Sequence, residues 1–149
     1  MNLKNYTSSV PVLNSISRIE HRLAQAGAPH IAKSYEGDRP TGMIFQIPID
    51  NIPMTFKLPA KTDNVFKYLV KQRSRPPKNS VINSIRAQAD RTGWKILSDW
   101  IDIQISMIEV DQAESIEMFL AYTFDPVSNM TLFEKIKKNG FKQLTEGKF

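Results

Sequence analysis

The segment from Trp94 to Val110 constrains the fold of this chain more than any other part of the sequence. Its apolar residues recur at intervals of three and four, the spacing that places side chains along one side of an α-helix. They form two rows, which are Trp94, Leu97, Ile101, Ile105 and Ile108, and Ile96, Trp100, Ile103, Met107 and Val110. A helix that is apolar on most sides is enclosed by other elements. We therefore expect a long helix over about 81–109 at the centre of the core.

The same segment is unsuited to a lipid bilayer. It carries four charges, on Lys95, Asp99, Asp102 and Glu109, and charged side chains are costly in hydrocarbon. The residues after Met1 contain no apolar run typical of a secretion signal. Cysteine is absent, so neither a disulfide nor a thiolate metal site can form. These features predict a soluble protein of a reducing compartment, without a membrane partner.

Patterns on the N-terminal side of this helix predict an α+β fold. Ile16, Ile19 and Leu23 have helical spacing, and Gly27 is a typical helix stop, so a helix is expected over 13–26. Three β-rich segments follow, and the last two flank the tight turn Asp50-Asn51. The expected strands are 30–36, 42–49 and 52–58, and the further expected helices are 64–74, 111–122 and 131–139. We expect a three-stranded antiparallel sheet packed on helices, with the long central helix in the C-terminal half.

The length of 149 residues is typical of one domain. We therefore predict a single domain over 1–149. Its helix and three-stranded sheet would occupy about 1–75, and its helical half about 80–149. The linker between the two parts contains Pro76-Pro77, which is typical of an irregular connection.

Charge is strongly segregated along the chain. Residues 57–95 hold ten bases and two acids, a net charge of +8, whereas residues 99–125 hold seven acids and no base. Residues 131–149 return to a net charge of +3. A basic surface that neutralises several phosphates releases their counterions, which drives binding without reading the base sequence. The central segment is therefore a candidate nucleic-acid site.

Nine bases of the central segment are the candidate nucleic-acid-binding residues. Tyr68 lies among them, and Phe45 and Phe56 lie on the predicted strands, where aromatic rings could stack on unpaired bases. Two other interpretations stay open, since a run of bases is often only a solvated face and strand phenylalanines are often core. The nine residues are Lys57, Lys61, Lys67, Lys71, Arg73, Arg75, Lys78, Arg86 and Arg91.

The residues needed for catalysis or metal binding are sparse. His21 and His30 are the two histidines and lie in different predicted elements, whereas zinc needs three or four ligands. Asp99, Asp102 and Asp111 could bind Mg²⁺, but the spacing of Asp99 and Asp102 is also that of an ordinary solvated helix stripe. No known nucleophile motif, zinc-protease motif or glycine-rich phosphate loop occurs. We expect a non-enzymatic protein with no metal and no cofactor.

The acidic residues of the C-terminal half have two interpretations. Glu109, Asp111, Glu114 and Glu117 are typical of a helix start, where acids suit the helix dipole. Alternatively, they meet the basic segment of a second copy, because opposite charges on one chain favour self-association. A homo-oligomer is therefore a possible partner state.

Several short motifs, taken together, resemble a known group of proteins. The first part of the chain has Tyr6, Val10-Pro11-Val12, Ile16, Ile19, Leu23 and Gly27-Ala28, and Phe56-Lys57-Leu58-Pro59-Ala60 closes the sheet. The long helix has Arg86, Ala89, Arg91, Trp94, Ile96, Asp99, Trp100 and Gln104, and Thr131-Leu132-Phe133-Glu134 comes near the end. Over nearly the whole chain these motifs resemble small phage and prophage proteins, often encoded among replication and recombination genes. The resemblance implies a phage-encoded protein acting in the bacterial cytoplasm.

Two function classes follow. The first is a non-enzymatic nucleic-acid-binding protein, which binds single-stranded DNA through its basic surface and prefers DNA to RNA. The second is a phage-encoded interaction module that binds a host protein or inhibits a host enzyme. Two arginines in the exposed first half of the long helix bear on which of these two function classes is correct. There Arg86 and Arg91 either pack and cap the helix or, as we favour, project toward a phosphate backbone.

Overall fold

The computed structural model describes residues 2–147 and confirms the α+β fold. A three-stranded antiparallel sheet packs on helices, and one long helix dominates the C-terminal half. A short two-stranded sheet and a 3-10 turn follow it. In chain order the elements are α1 (Val12–Gln25), β1 (His30–Glu36), β2 (Arg39–Ile49), β3 (Ile52–Pro59), α2 (Thr62–Lys71), α3 (Asn79–Glu109), α4 (Ser115–Phe119), the 3-10 turn (Leu120–Tyr122), β4 (Phe124–Asp125), β5 (Met130–Thr131), α5 (Leu132–Lys138) and α6 (Lys142–Glu146).

The main sheet has the order β1-β2-β3, with neighbouring strands antiparallel. Asp50 and Asn51 both have positive φ, at 51° and 66°, which gives the two-residue turn that suits the twist of a hairpin. This turn sets the register, in which Phe45 lies opposite Phe56. Alternate residues of β2 and β3 therefore point to one face, which is buried.

The main core lies between this face of the sheet and the helices α1 and α3. From α3 it takes Trp94, Ile101 and Ile105, which have no exposed surface. The prediction that α3 is enclosed on most sides is correct for this row and only partly correct for the second. In the second row Trp100 packs against the main core, whereas Ile103 and Val110 are exposed.

The first half of α3 packs against α2 in a separate apolar cluster. Its buried members are Leu69 of α2 and Ile85 and Ala89 of α3. The two helices approach closely where Gly93 of α3 faces the methyl group of Thr62. The hairpin of α2 and α3 thereby presents the outer side of α2 to solvent.

Several predicted segments differ from the structure. The alternating character of residues 6–12 predicts an extended stretch before α1, whereas the structure has a turn around Tyr6. The helix expected over 111–122 begins at Ser115, because Asp111 takes a left-handed conformation with φ 57°. Backbone hydrogen bonds from Asp111 to Ile108 and from Gln112 to Met107 close α3, in the pattern that often ends helices. The strands β4 and β5 and the helix α6 were not expected from the sequence.

Replacing Gly93 by alanine tests the close approach of α2 and α3. The added Cβ would lie 2.8 Å from Thr62 Cγ2, and the Thr62 hydroxyl is held in place as it accepts a hydrogen bond from Arg39. Overpacking costs about 1–3 kcal/mol, whereas alanine gains about 1 kcal/mol in a helix. We expect Gly93→Ala to lower the free energy of unfolding by about 1 kcal/mol, measured by urea denaturation.

A second background isolates the contact. Thr62→Ser removes the methyl group and keeps the hydroxyl that Arg39 binds. In this background we expect Gly93→Ala to be neutral or stabilising, because the helix preference of alanine remains while the clash is gone. Equal destabilisation in both backgrounds would contradict the assigned contact.

Candidate nucleic-acid interface

The acids at the start of the acidic block are neutralised within the chain. Lys95 donates to Asp99 at 2.6 Å, and Arg18 of α1 pairs with Asp102 at 3.2 Å. Partial burial alone would raise the pKa of Asp99, but hydrogen bonds from Lys95 and from Asn5 outweigh it and lower that pKa. The acidic stripe of α3 thus fastens α1 and the N-terminal segment to the core.

Further along, the acidic residues also have internal roles. Arg22 of α1 donates to Glu109 at 3.2 Å. Glu114 and Glu117 form a reciprocal capping arrangement at the start of α4, as the interpretation of a helix start predicts. The alternative, in which these acids meet the basic segment of another copy, stays a prediction.

The basic segment is not neutralised in the same way. Its two acids are occupied, since Asp63 pairs with Arg86, and Asp90 pairs with Arg39 of β2 at 2.8 Å. Within residues 2–147 these pairs leave eight bases of the segment without an ion pair, and their charge is available to a ligand. The eight are Lys57, Lys61, Lys67, Lys71, Arg73, Arg75, Lys78 and Arg91.

The nine candidate residues fall into three groups, and the first group lines a groove. Lys57 of β3 and Lys61, just before α2, line a cavity of about 620 Å³ together with Lys137 and Lys138 of α5. Apolar and aromatic side chains complete the wall. They are Pro59, Tyr122, Met130 and Phe133.

A short hairpin holds α5 against β3 and so forms this groove. Thr123 makes an isolated antiparallel bridge with Phe56 of β3, and β4 pairs with β5 immediately afterwards. Lys135 of α5 donates to Asp125 of β4 at 2.8 Å. The hairpin therefore places the basic tail of the chain beside the end of the main sheet.

The start of α5 is capped at the groove wall. The Thr131 hydroxyl accepts from the backbone N–H of Glu134 at 3.2 Å, and the Glu134 carboxylate accepts from the backbone N–H of Thr131 at 3.0 Å. This backbone hydrogen bond is the main cause that lowers the pKa of Glu134, and the charges of Lys57 and Lys61 lower it further. Glu134 is thus a charged carboxylate with a structural role.

The second group follows α2 and the loop after it. Lys67 and Lys71 are one helical turn apart on the exposed side of α2, so their side chains lie on one face. Tyr68 lies between them in sequence and is 38% exposed. The loop then forms a cleft of about 410 Å³ lined by Arg73, Ser74, Arg75, Pro76, Lys78 and Val81.

The third group consists of Arg86 and Arg91 on α3, and both side chains make contacts within the protein. Arg86 lies 3.9 Å from the centre of the Phe66 ring and pairs with Asp63. Arg91 donates to the Ser8 carbonyl at 3.2 Å and to Gln88 at 2.7 Å. Both arginines therefore hold neighbouring segments on α3. Their contact with a phosphate backbone stays a prediction, and we place less weight on it than on the first two groups.

The aromatic residues divide in a similar way. Phe45 and Phe56 are 1% and 0% exposed and stack on each other at 5.3 Å between ring centres, so neither can reach a base. The exposed rings beside bases are Tyr68 and Phe133, the latter 43% exposed. Sequence reasoning missed Phe133 and the two lysines of α5, although the positive charge of the tail was a signal for them.

The part of the chain that the structure describes contains no group of three or more metal-ligating side chains arranged to hold an ion. Across the same residues, none of the helices has the length and apolar character that a membrane crossing requires.

Acidification tests the ion pair between Asp125 of β4 and Lys135 of α5, which we call the tie between the hairpin and α5. Hydrogen bonds from Lys135, the Val127 backbone and Ser128 lower the pKa of Asp125 from 3.8 to about 2. A lowered pKa means that the charged form stabilises the hairpin. This contribution is complete above pH 3.8 and is lost as the pH falls through about 2. We expect the Asp125 carboxyl resonance to titrate near pH 2 in an NMR experiment.

The same tie can be removed at neutral pH. Asp125→Asn should raise amide exchange in β4, β5 and the first turn of α5, because the charged partner of Lys135 is gone. Asp38→Asn, in the turn between β1 and β2, is the control and should leave that exchange unchanged. An Asp125 titration midpoint at its ordinary value, or unaltered exchange in Asp125→Asn, would show that the tie does not hold α5.

The chain matches no family model, no curated protein and no solved structure. The resemblance to small phage proteins therefore stays a prediction. What the basic surface binds must be inferred from the charges, rings and cavities that its own residues form.

Proposed function

We propose that this chain is a non-enzymatic nucleic-acid-binding protein that holds single-stranded DNA. The phosphate backbone would lie along the exposed side of α2 and the loop after it, with Lys67, Lys71, Arg73, Arg75 and Lys78 as the contacting residues. Lys57 and Lys61 extend this surface toward the groove beside α5. We call the set of these seven residues the basic strip.

The observation that carries the proposal is the asymmetry of charge neutralisation. The chain has acids enough to pair more of its bases, yet several of them pair with α1 and the N-terminal segment instead. None of the seven residues of the basic strip makes an ion pair with any residue in the range 2–147. Such uncompensated bases favour a polyanion, because binding it releases condensed counterions.

The preference for single strands rests on the exposed rings. Tyr68 is exposed on α2, next to Lys67 and one helical turn's width from Lys71, so that a base could stack on its ring while the ammonium groups beside it contact phosphates. A duplex keeps its bases paired and stacked, and its bases cannot use such a ring. The preference for DNA over RNA and the action in a bacterial host rest on the resemblance to phage proteins.

A protein-interaction module is the second candidate. It is favoured by apolar side chains that stay exposed near the C-terminal end, among them Val127, Phe141 and Leu144, the first of which is 95% exposed. Exposed apolar residues of this kind occur at protein interfaces. An acidic surface that mimics nucleic acid is less favoured, because Glu109 pairs with Arg22.

A double substitution on α2 tests the leading proposal. Lys67→Gln with Lys71→Gln should weaken binding to a labelled oligothymidylate, measured by fluorescence anisotropy at about 50 and 200 mM salt. Two lost phosphate contacts should make the log–log salt dependence shallower by about 1.4, since each contributes about 0.7 on a single strand.

The matched control removes the same net charge elsewhere. Lys4 and Lys33 lie outside the basic strip, where they pair with Asp99 and Glu20. Lys4→Gln with Lys33→Gln should leave the salt dependence unchanged. If the wild-type protein binds no strand at the lower salt, the proposed function is wrong. If both double variants weaken binding equally, net charge and not the strip is responsible.

A further inference from the structure

The groove beside α5 differs from the rest of the basic strip, because it combines a concave shape with an aromatic wall. Its volume of about 620 Å³ lies in the range of small-molecule sites. The residues that form it come from three places in the chain, namely the end of β3, the hairpin with the 3-10 turn before it, and α5. The groove is therefore a product of the tertiary fold.

Charge on the groove wall suits a phosphate. Four lysines line it, Lys57 and Lys61 from the end of the main sheet and the start of α2, and Lys137 and Lys138 from α5. Lys57 Nζ is held 5.2 Å above the centre of the Phe124 ring, and none of these four ammonium groups makes an ion pair within residues 2–147. Glu134 also lines the wall. It accepts from the backbone N–H of Thr131, and its charge interacts with Lys57 and Lys61, so the wall with its four lysines keeps a net positive charge.

The aromatic part of the wall suits a nucleobase. Phe133 lines the groove and is 43% exposed, so part of its ring is free for contact. Lys137 Nζ lies over this ring, 5.9 Å from its centre, so a base that stacks on this face of Phe133 would come close to the ammonium group of Lys137. Tyr122 contributes a second ring to the wall.

We propose that this groove binds one unpaired nucleotide. Its base would stack on Phe133, and its phosphate would lie among the four lysines of the wall. The nucleotide belongs either to a single strand or to a free mononucleotide, because both offer the same phosphate and base. A base inside a duplex is excluded, as its faces are covered by its neighbours. The strand source rests on the proposed function, and the groove would then set the preference for single strands.

The experiment compares Phe133→Leu with Phe141→Leu. Phe133 and Phe141 contact each other, with ring centres 6.2 Å apart, but only Phe133 lines the groove. Leucine keeps the apolar contact between α5 and the following turn and removes the flat ring. Each protein is titrated with labelled oligothymidylate and with a labelled hairpin duplex, and thermal unfolding checks that each variant is folded.

A second experiment tests whether the groove binds a free mononucleotide. Saturation-transfer NMR with thymidine monophosphate is recorded on the wild-type protein and on the double variant Lys137→Gln with Lys138→Gln. For the strand source we expect Phe133→Leu to weaken single-strand binding about fivefold or more, since base stacking contributes about 1–3 kcal/mol per base. Duplex binding and the Phe141→Leu protein should be unchanged. For the free source we expect a signal from the wild-type protein that the lysine variant lacks.

The outcomes separate the two proposals. If the wild-type protein binds both strands and Phe133→Leu changes neither, and no mononucleotide signal appears, the groove inference is wrong and the basic strip stands. If it binds no strand but gives a mononucleotide signal that depends on Lys137 and Lys138, the groove binds free nucleotides and the proposed function is wrong. If it binds neither, both are overturned.

Discussion

The structure depends on the burial of one face of α3 between the sheet and α1. Trp94, Ile101 and Ile105 are completely enclosed there, and Trp94 Nε1 also donates to the Pro40 carbonyl. Full burial of such side chains contributes about 1.5–3 kcal/mol each, far more than the exposed ion pairs around them. Once this face is fixed, the polar stripe of α3 is fixed as well, and it faces α1.

This orientation determines which charged side chains form ion pairs within the protein. Because the acidic stripe meets Arg18 and Arg22 of α1, it cannot also reach α2, which packs on the other half of the long helix. Among residues 2–147, Lys67 and Lys71 of α2 thus make no ion pair, and Asp63, at the start of the same helix, pairs with Arg86. In the sequence the basic and acidic residues simply occupy different segments. In the fold, the acidic side chains of α3 form ion pairs with α1, whereas the bases of α2 do not form ion pairs within the described part of the chain.

The sequence predicted best what depends on local pattern. The hairpin turn at Asp50-Asn51 and the helix stop at Gly27 are where they were expected, because turn and cap preferences act over a few residues. Helix spacing also placed α1 and α3 to within two residues. The hairpin of β4 and β5 could not be expected, as two-residue strands carry almost no pattern.

The candidate site was harder to predict because it depends on contacts between distant segments. That Lys57 and Lys61 are basic is visible in the sequence, but their partners across the groove lie more than seventy residues later on α5. The hydrogen bond from Arg91 to the Ser8 carbonyl was equally unpredictable. It forms because the N-terminal segment has a turn near Tyr6 where an extended stretch was expected.

If the protein holds single-stranded DNA as we propose, a basic strip alone would be an incomplete site. Ammonium groups on an exposed helix attract any polyanion and cannot distinguish a single strand from a duplex. A ring in a concavity can make this distinction, because only an unpaired base can enter and stack on it. In this fold the ring is Phe133, and it is held there by the ion pair between Asp125 and Lys135 and by the cap at Thr131. Discrimination would therefore depend on the short hairpin, whose sequence shows the weakest pattern in the chain.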